Sequence, residues 1–437
     1  MKKERDVKKY VPVLMAVLLG VLGVLCLVLQ SRMNTEPTGS VEDVSGNFGS
    51  TETVTLHYYV WEDEEFYARK IVDSYNATHP YVQVELSVPD NYDDCIDDLV
   101  LSGDAVDVFD IRGISPLVKY QSEGILTDMT ELLQERGTDI TAYGNIFSNI
   151  MIDGRCYAMP CRSTCWALIY NRKLFDEAGL DDPGQITWDE YRELAIRLTG
   201  TAKNGEKIYG GLIVPWDLNL LGVQHENYLY DDDLTYVQKS LERINTFMNL
   251  DQSHVTLEEF YAEGFDYLEA FENGRIAMMP MGEWFVGMIL NDEESGKSDA
   301  DWDVAPMPID RGMADGTTWG QYQFIGISNQ SAHAEEAFDF VTYVAGKLGA
   351  EIYAANGMLS AYSDQDVLDI YKGVVGNRNV EVFYNSFRVL EVSSIPQYGD
   401  LQNAFSERAH AYLYGQSSLD EAMELFCRDR EQLFRTN

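Results

Sequence analysis

Positive charge is scarce in this chain. Of its 437 residues, 32 are Lys or Arg and 72 are Asp or Glu, a formal net charge of −40. Such a surface repels nucleic acid and anionic lipid, and it disfavours a strongly anionic ligand. Most of these carboxylates read as a solvated acidic face. Signatures of catalysis are lacking too. No G-x-S-x-G elbow occurs. His225-Glu226 has no second histidine to complete H-E-x-x-H, and Gly296-Lys297-Ser298 has Asn291 where a phosphate loop needs its first glycine. Asp90, Asp93, Asp94, Asp97 and Asp98 lack the glycine and closing glutamate of a calcium loop. No motif recommends any two acids as a glycosidase pair. Cysteine is sparse: Cys26 lies in an apolar N-terminal run, leaving Cys95, Cys156, Cys161, Cys165 and Cys427. An odd number cannot pair completely within one chain, although the cluster at 156, 161 and 165 has room for one disulfide. Without C-x-x-C pairs or a nearby histidine it makes a poor zinc site, so buried free thiols are expected. No cofactor and no metal is called for.

What is present begins with an address. Lys2, Lys3, Arg5, Lys8 and Lys9 precede nineteen uncharged residues, 11–29. As a helix these would span about 28 Å, close to the hydrocarbon thickness of a bilayer. The basic flank keeps the N-terminus cytoplasmic and sends the rest outside. No A-x-A-like cleavage site follows, so an uncleaved signal anchor is the preferred reading. Lipidation at Cys26 is the alternative; against it, Gly23-Val24-Leu25 lacks the usual small-residue pair and the apolar run continues through Leu29. Beyond residue 32 the chain carries 26 basic and 70 acidic residues, a formal −44.

Residues 1–10 thus form a basic cytoplasmic segment, 11–29 the anchor and 30–52 a polar tether. The remainder is too long for one core, since cores stop growing at roughly 250–300 residues. Val54, Leu56, Tyr58 and Val60 alternate as in a half-buried strand, and Tyr67, Ile71 and Tyr75 mark one face of a helix. Val82, Val84 and Leu86 form a second strand, and residues 106–109 a third after another helix. Strands alternating with helices predict an α/β protein built on largely parallel sheets. Thr187 with Glu190 predicts a capping box, and Leu419, Ala422, Met423 and Phe426 a closing amphipathic helix.

Several motifs in fixed order resemble those of the extracellular solute-binding proteins of carbohydrate ABC transporters, the maltose-binding-protein-like family. They are Tyr157-Ala158-Met159-Pro160, Leu168-Ile169-Tyr170-Asn171, Leu174-Phe175-Asp176-Glu177-Ala178-Gly179, Gly124-Ile125-Leu126-Thr127-Asp128, Phe271-Glu272-Asn273-Gly274-Arg275-Ile276-Ala277-Met278 with Gly282-Glu283-Trp284, and Trp302-Asp303-Val304-Ala305-Pro306-Met307-Pro308. Gly357-Met358-Leu359-Ser360 departs from the pattern, where relatives usually carry a proline after the leucine. The resemblance implies two lobes joined by hinge crossovers, with the ligand in the cleft between them. The lobes are expected at 53–162 plus 328–375 and at 163–327 plus 376–437. It further implies a monomer that captures a carbohydrate, an oligosaccharide, and hands it to ABC permease subunits without catalysing a reaction.

Sugars offer flat C–H faces and rings of hydroxyls, so binding them needs aromatic faces with polar groups beside them. Candidates after strands are Trp61, Glu62 and Asp63; Asp110 and Arg112; Trp216 and Asp217; Glu283 and Trp284; and Tyr398 and Asp400. Arg162, Thr164 and Trp166 lie in the expected crossing segment, and Trp319 and Gln321 near a second hinge. The competing reading of each tryptophan is core packing, which is favoured for Trp188 and Trp302. Arg112 and Arg162 could equally pair with the acidic surface. Three other functions stay open: a binding protein for a polyamine or other cationic solute, favoured by the acidic excess; a ligand-sensing partner of a membrane receptor; and a glycoside hydrolase.

Overall fold

The computed structural model describes residues 53–102, 106–391 and 394–435. The expected anchor and tether lie outside them. No helix among the described residues is long and apolar enough to cross a membrane.

Alternating apolar residues give β1 (Val54–Tyr59) and β2 (Val82–Ser87), joined by the helix Glu65–Thr78. Next come β3 (Val108–Ile111), β4 (Ala158–Ser163) and β5 (Trp166–Asn171). A small hairpin, β6 (Gly200–Thr201) with β7 (Lys207–Ile208), precedes β8 (Met278–Gly282) and β9 (Trp302–Ala305). The last strands are β10 (Thr317–Gly320), β11 (Tyr322–Ile327) and β12 (Phe387–Leu390).

Five strands form one sheet in the order β2-β1-β3-β11-β4. β1 runs parallel to β2 and β3, whereas β11 is antiparallel to both β3 and β4. A second sheet, β8-β5-β9, is antiparallel throughout. β10 pairs in parallel with β12. Every residue of β4 and β5 is buried. The segment 157–190 is therefore two core strands with only Thr164 and Cys165 between them, followed by the helices Arg172–Ala178 and Trp188–Leu198. Thr187 forms the expected capping box with Glu190.

Two hydrophobic cores result. The first gathers side chains of β1 to β4, β11 and the helix Ala334–Ala345. The second gathers β5, β8, β9 and the helical region from Trp188 onward, together with the C-terminal helices Tyr398–Leu413 and Leu419–Arg435. The chain passes between cores at Thr164–Cys165, at Gly320–Gln321 and near Met358–Val367. Two passes differ from the expected boundaries. β11 belongs with the first core, because Phe324, Ile325 and Ile327 fill the gap between β3 and β4. The helix Gln365–Val375 belongs with the second, where Val367, Tyr371 and Val375 are buried. Alternation identifies a strand but not the sheet it joins, and an apolar helix face does not say which core it covers, so neither placement could be read from the sequence.

Candidate functional site

The junction between the cores is held by paired backbone and one hydroxyl. The Thr164 amide donates to the Gln321 carbonyl at 2.7 Å, and the Gln321 amide donates to Thr164 Oγ1 at 2.9 Å. Gly320 makes this approach possible: a Cβ there would lie 2.2 Å from the Thr164 carbonyl oxygen. Thr164 thus closes the crossing on itself. Only 1% exposed, it does not present its hydroxyl to a ligand.

Arg162 lies beside it, also 1% exposed. Its guanidinium pairs with Glu64 and, at 2.8 Å, with Glu283. It also donates to the Tyr67 hydroxyl at 2.9 Å and to Gln323 Oε1 at 3.1 Å. Asp110 belongs to the same buried network and accepts from the Tyr58 hydroxyl at 2.8 Å. Burial pushes the Asp110 carboxyl well up, and the adjacent Glu64 pushes it further. Burial likewise raises Glu283 to about 7, against the downward pull of Arg162. Burying three carboxylates demands a cation and hydrogen-bond donors, and Arg162 with two tyrosines supplies them. Arg162, Asp110 and Glu283 therefore belong to the internal fabric of the junction. The sequence offered them as ligand contacts because their partners stand 98 and 121 residues from Arg162.

Aromatic side chains flank this network. Trp61 is buried against Tyr92 at 5.1 Å, and the Arg112 guanidinium lies 4.3 Å over its ring. Across the junction, Trp166 meets Trp284 edge-on at 5.2 Å and Trp319 at 5.7 Å. Trp284 folds back over Gly282, where any Cβ would fall within its ring, and it packs against both cores. Trp319 is fully buried. It and Trp166, 1% exposed, are packing residues, a correction to their place among the contacts. Gln321 turns its side chain toward Gly113, and its Oε1 is buried with no hydrogen-bond partner.

A further cluster surrounds the Trp166 indole. Its Nε1 donates to Glu391 at 3.0 Å. Glu391 leaves β12, and its amide donates to the Gly320 carbonyl at 3.0 Å. Burial raises Glu391 to about 7, with the Trp166 hydrogen bond acting the other way. Asp217 is 8% exposed and is pushed well up, first by burial and then by the charge of Glu391. Tyr398 is buried near both acids, and burial followed by the Glu391 charge raises its hydroxyl. Tyr228 donates to the Leu390 carbonyl at 2.8 Å and stacks on Tyr230.

Glu62, Asp63, Arg112 and Asp400 are exposed. Trp216 is half exposed and stands edge-on to Phe260 and Tyr267. The Asp63 charge reaches Tyr267, whose hydroxyl is raised mainly by burial. The structure thus brings together Trp61 with Arg112, Trp166 with Trp284, and Asp217 with Tyr398. It leaves Asp400 on the surface. Sequence reading missed Glu391, Tyr92, Tyr228, Tyr230 and Tyr267. An acid directly after a strand would have flagged Glu391 had β12 been recognised.

All five cysteines of the described region are free, and Cys156, Cys161 and Cys165 are buried. Burial raises the Cys156 thiol to about 12. No group of His, Cys, Asp or Glu among the described residues is arranged to hold a metal.

Comparison with known proteins gives these features a family. An uncharacterized lipoprotein of Streptomyces antibioticus is 26% identical over 311 residues, 67% of this chain; the match spans 66% of that protein, just under two thirds. The multiple sugar-binding protein of Streptococcus mutans is 24% identical over 353 residues, covering 75% of this chain and 77% of its own. In structure, an ABC substrate-binding protein of Listeria monocytogenes, solved in complex with cycloalternan, superimposes with a TM-score of 0.76 at 21% identity, over 88% of this chain and 99% of that one. The fold is the two-lobed α/β architecture of such binding proteins. The sequence profile of the bacterial extracellular solute-binding proteins matches residues 49–351, most of the chain, and the protein belongs to that family.

Proposed function

We propose that this protein captures a carbohydrate outside the cytoplasm, in the cleft between its two lobes, and passes it to the membrane subunits of an ABC importer. The N-terminal apolar segment tethers it to the membrane. The observation that carries this reading is the pairing of aromatic faces with acids on both sides of the junction. Trp61 under Arg112, with Asp63 nearby, faces from the first core. The partly exposed Trp284 and Trp216, with Glu391 and Asp217, lie on the side of the second, around the buried Trp166. Aromatic rings stack on sugar C–H faces while carboxylates accept sugar hydroxyls. Relatives described as binding a sugar or cycloalternan support the same ligand class. Closure of the lobes about the Thr164–Gln321 crossing buries the ligand. Nothing in the geometry recommends catalysis, and ligand turnover is not part of this reading.

A thermal-shift screen of the full-length protein against oligosaccharides and spermidine tests it. A bound ligand at 100 times its Kd should add about 2.7 kcal/mol of stability. Stabilisation by spermidine alone would remove the carbohydrate. Hydrolysis of any glycoside in the same samples would replace capture by catalysis.

A further inference from the structure

We propose that a cavity behind the crossing strands is a second binding site, separate from the carbohydrate cleft, for a small organic anion whose carboxylate or phosphate is held by Arg388. The site does not depend on which ligand the cleft takes.

Its position follows from alternation along β4. Neighbouring residues of a strand point to opposite faces. Arg162 points toward Glu64 and Glu283, whose loops carry Trp61 and Trp284. Ser163 points the other way and accepts from Arg388 Nη1 at 2.5 Å. Around this pair lies a cavity of about 400 Å³, a volume within the range of small-molecule sites. Its walls come from both cores. Ile146 and Tyr322 pack with the first, Phe383 and Val389 with the second, and Gly320 lines it at the crossing itself.

The chemistry of this cavity is the reverse of the acidic surface. Acids make up 72 of the 437 residues, yet none of the fourteen residues lining the cavity is one. The cation among them is the half-buried Arg388. Other half-buried arginines are neutralised from within the chain: Arg243 by Asp310, Arg378 by Glu293 and Arg408 by Asp429. Arg388 has no carboxylate within ion-pair distance among the described residues. Its acceptors are the Ser163 hydroxyl and, at 3.3 Å, the Phe383 carbonyl, both uncharged. A guanidinium has five N–H donors, so these two acceptors leave it donors for a carboxylate or phosphate, whose paired oxygens match its fork. The Ser163 hydroxyl accepts from a cation, which makes it a stronger donor in turn. Tyr322, Leu359, Ala361 and Tyr384 add apolar wall. An inorganic ion would leave that wall uncovered, whereas an organic body covers it. The net acidity that disfavours anions elsewhere does not act here, since no carboxylate lines the cavity.

The test is calorimetric titration of the full-length protein with benzoate and phenyl phosphate, beside neutral benzyl alcohol and inorganic phosphate, in a buffer free of other oxyanions. At least one of the two organic anions should bind about ten-fold or more tightly than benzyl alcohol and than inorganic phosphate. Which of them does so distinguishes carboxylate from phosphate. That affinity should fall by about ten-fold or more in Arg388→Met. It should fall likewise in Ser363→Trp, which places a ring at an exposed edge of the cavity and leaves Arg388 intact. Unliganded melting is recorded as a folding check, and where Arg388→Met lowers the melt, Ser363→Trp decides. No binding by any probe at millimolar concentration, equal binding of benzyl alcohol, or an affinity that survives both substitutions overturns the site. Inorganic phosphate binding as tightly as the organic anions overturns the organic ligand.

Discussion

Two groups of acids lie at the crossing between the cores, and they are held in different ways. Around Arg162, three carboxylates are gathered onto one guanidinium and two tyrosines. Around Trp166, the indole donates to the partly buried Glu391, and Asp217 lies within reach of the Glu391 charge. The first network ties Glu64 near the first sheet to Glu283 at the end of β8, although Glu64 Oε2 and Arg162 Nε are left without hydrogen-bond partners. The second has an uncharged donor in place of a guanidinium. The difference teaches that burial alone does not decide how an acid behaves: a shared cation makes carboxylates part of the scaffold, whereas a neutral donor leaves an acid free to titrate.

Breaking the Arg162 network should have the largest effect. Arg162→Met leaves Glu64 and Glu283 buried without their cation, and losing one partner of a buried pair costs about 3–5 kcal/mol. Chemical denaturation of the variant should show a loss of that size. A loss below about 1 kcal/mol would mean that water reaches the network and that the two regions do not differ as described.

The second group sets a pH dependence of opposite origin. Glu391 is raised from its ordinary value to about 7. A carboxyl raised by folding binds its proton more tightly in the folded state, so its ionisation weakens the fold. Stability from this group is fully present below about pH 4.5 and is lost as pH rises to about 7. The groups around it are the Trp166 indole, Asp217, Tyr398 and the Cys165 thiol, with Arg388 of β12 on the far side of that thiol and not among the causes that shift Glu391. Glu391→Gln removes the titration and should stabilise the unliganded protein above pH 7 by on the order of 2 kcal/mol, with little change at pH 5. Denaturant melts at the two pH values check it. Equal effects at both would show that Glu391 is not held in its raised state by burial. Because Glu283 is also raised to about 7, the wild-type slope should shrink in the variant rather than vanish.

Gly320 tests the junction without touching either set of acids. Its missing Cβ would lie 2.2 Å from the Thr164 carbonyl oxygen and 2.9 Å from Arg388 Cδ. The arginine chain can move, but the carbonyl is fixed by the crossing. Gly320→Ala should therefore cost about 1–3 kcal/mol through overpacking. An unchanged melting midpoint would show that the crossing strands separate easily, and the closed junction would lose its role as a hinge.

Much of the fold is legible locally. β1 and β2 follow from alternation, and Thr187 with Glu190 fixes a helix start to the residue. What the sequence conceals is pairing at a distance. Arg162 reads as a surface-ready cation, and nothing near it announces Glu64 or Glu283. β11 reads as a strand, yet its place between β3 and β4 depends on two sheets already formed. Glu391 was missed because β12 has only four residues and exposes Phe387 and Leu390, so it lacks the alternation that marks a half-buried strand. The candidate list named Asp217 and Trp284 by their positions after strands. It could not distinguish them from Thr164, Trp166 and Trp319, whose neighbours close around them.

Trp216 offers the smallest change to the fold. It is 50% exposed and touches Phe260 and Tyr267 only by their edges. Removing a side chain that water already reaches should alter unliganded stability by about 0.5 kcal/mol or less. The same ring lies next to Asp217 in sequence and, through Tyr267, within reach of the Asp63 charge on the other side of the junction. A half-exposed tryptophan in that position contributes to the fold mainly when a ligand covers it. Trp216→Ala should therefore weaken sugar binding by about five-fold, in line with the loss of one stacking face worth about 1 kcal/mol, while the unliganded melt stays in place. Calorimetric titration beside a thermal melt separates the two quantities. A large loss of unliganded stability with unchanged affinity would place Trp216 with the packing residues of the second core. The aromatic face proposed on that side would then rest on Trp284 alone.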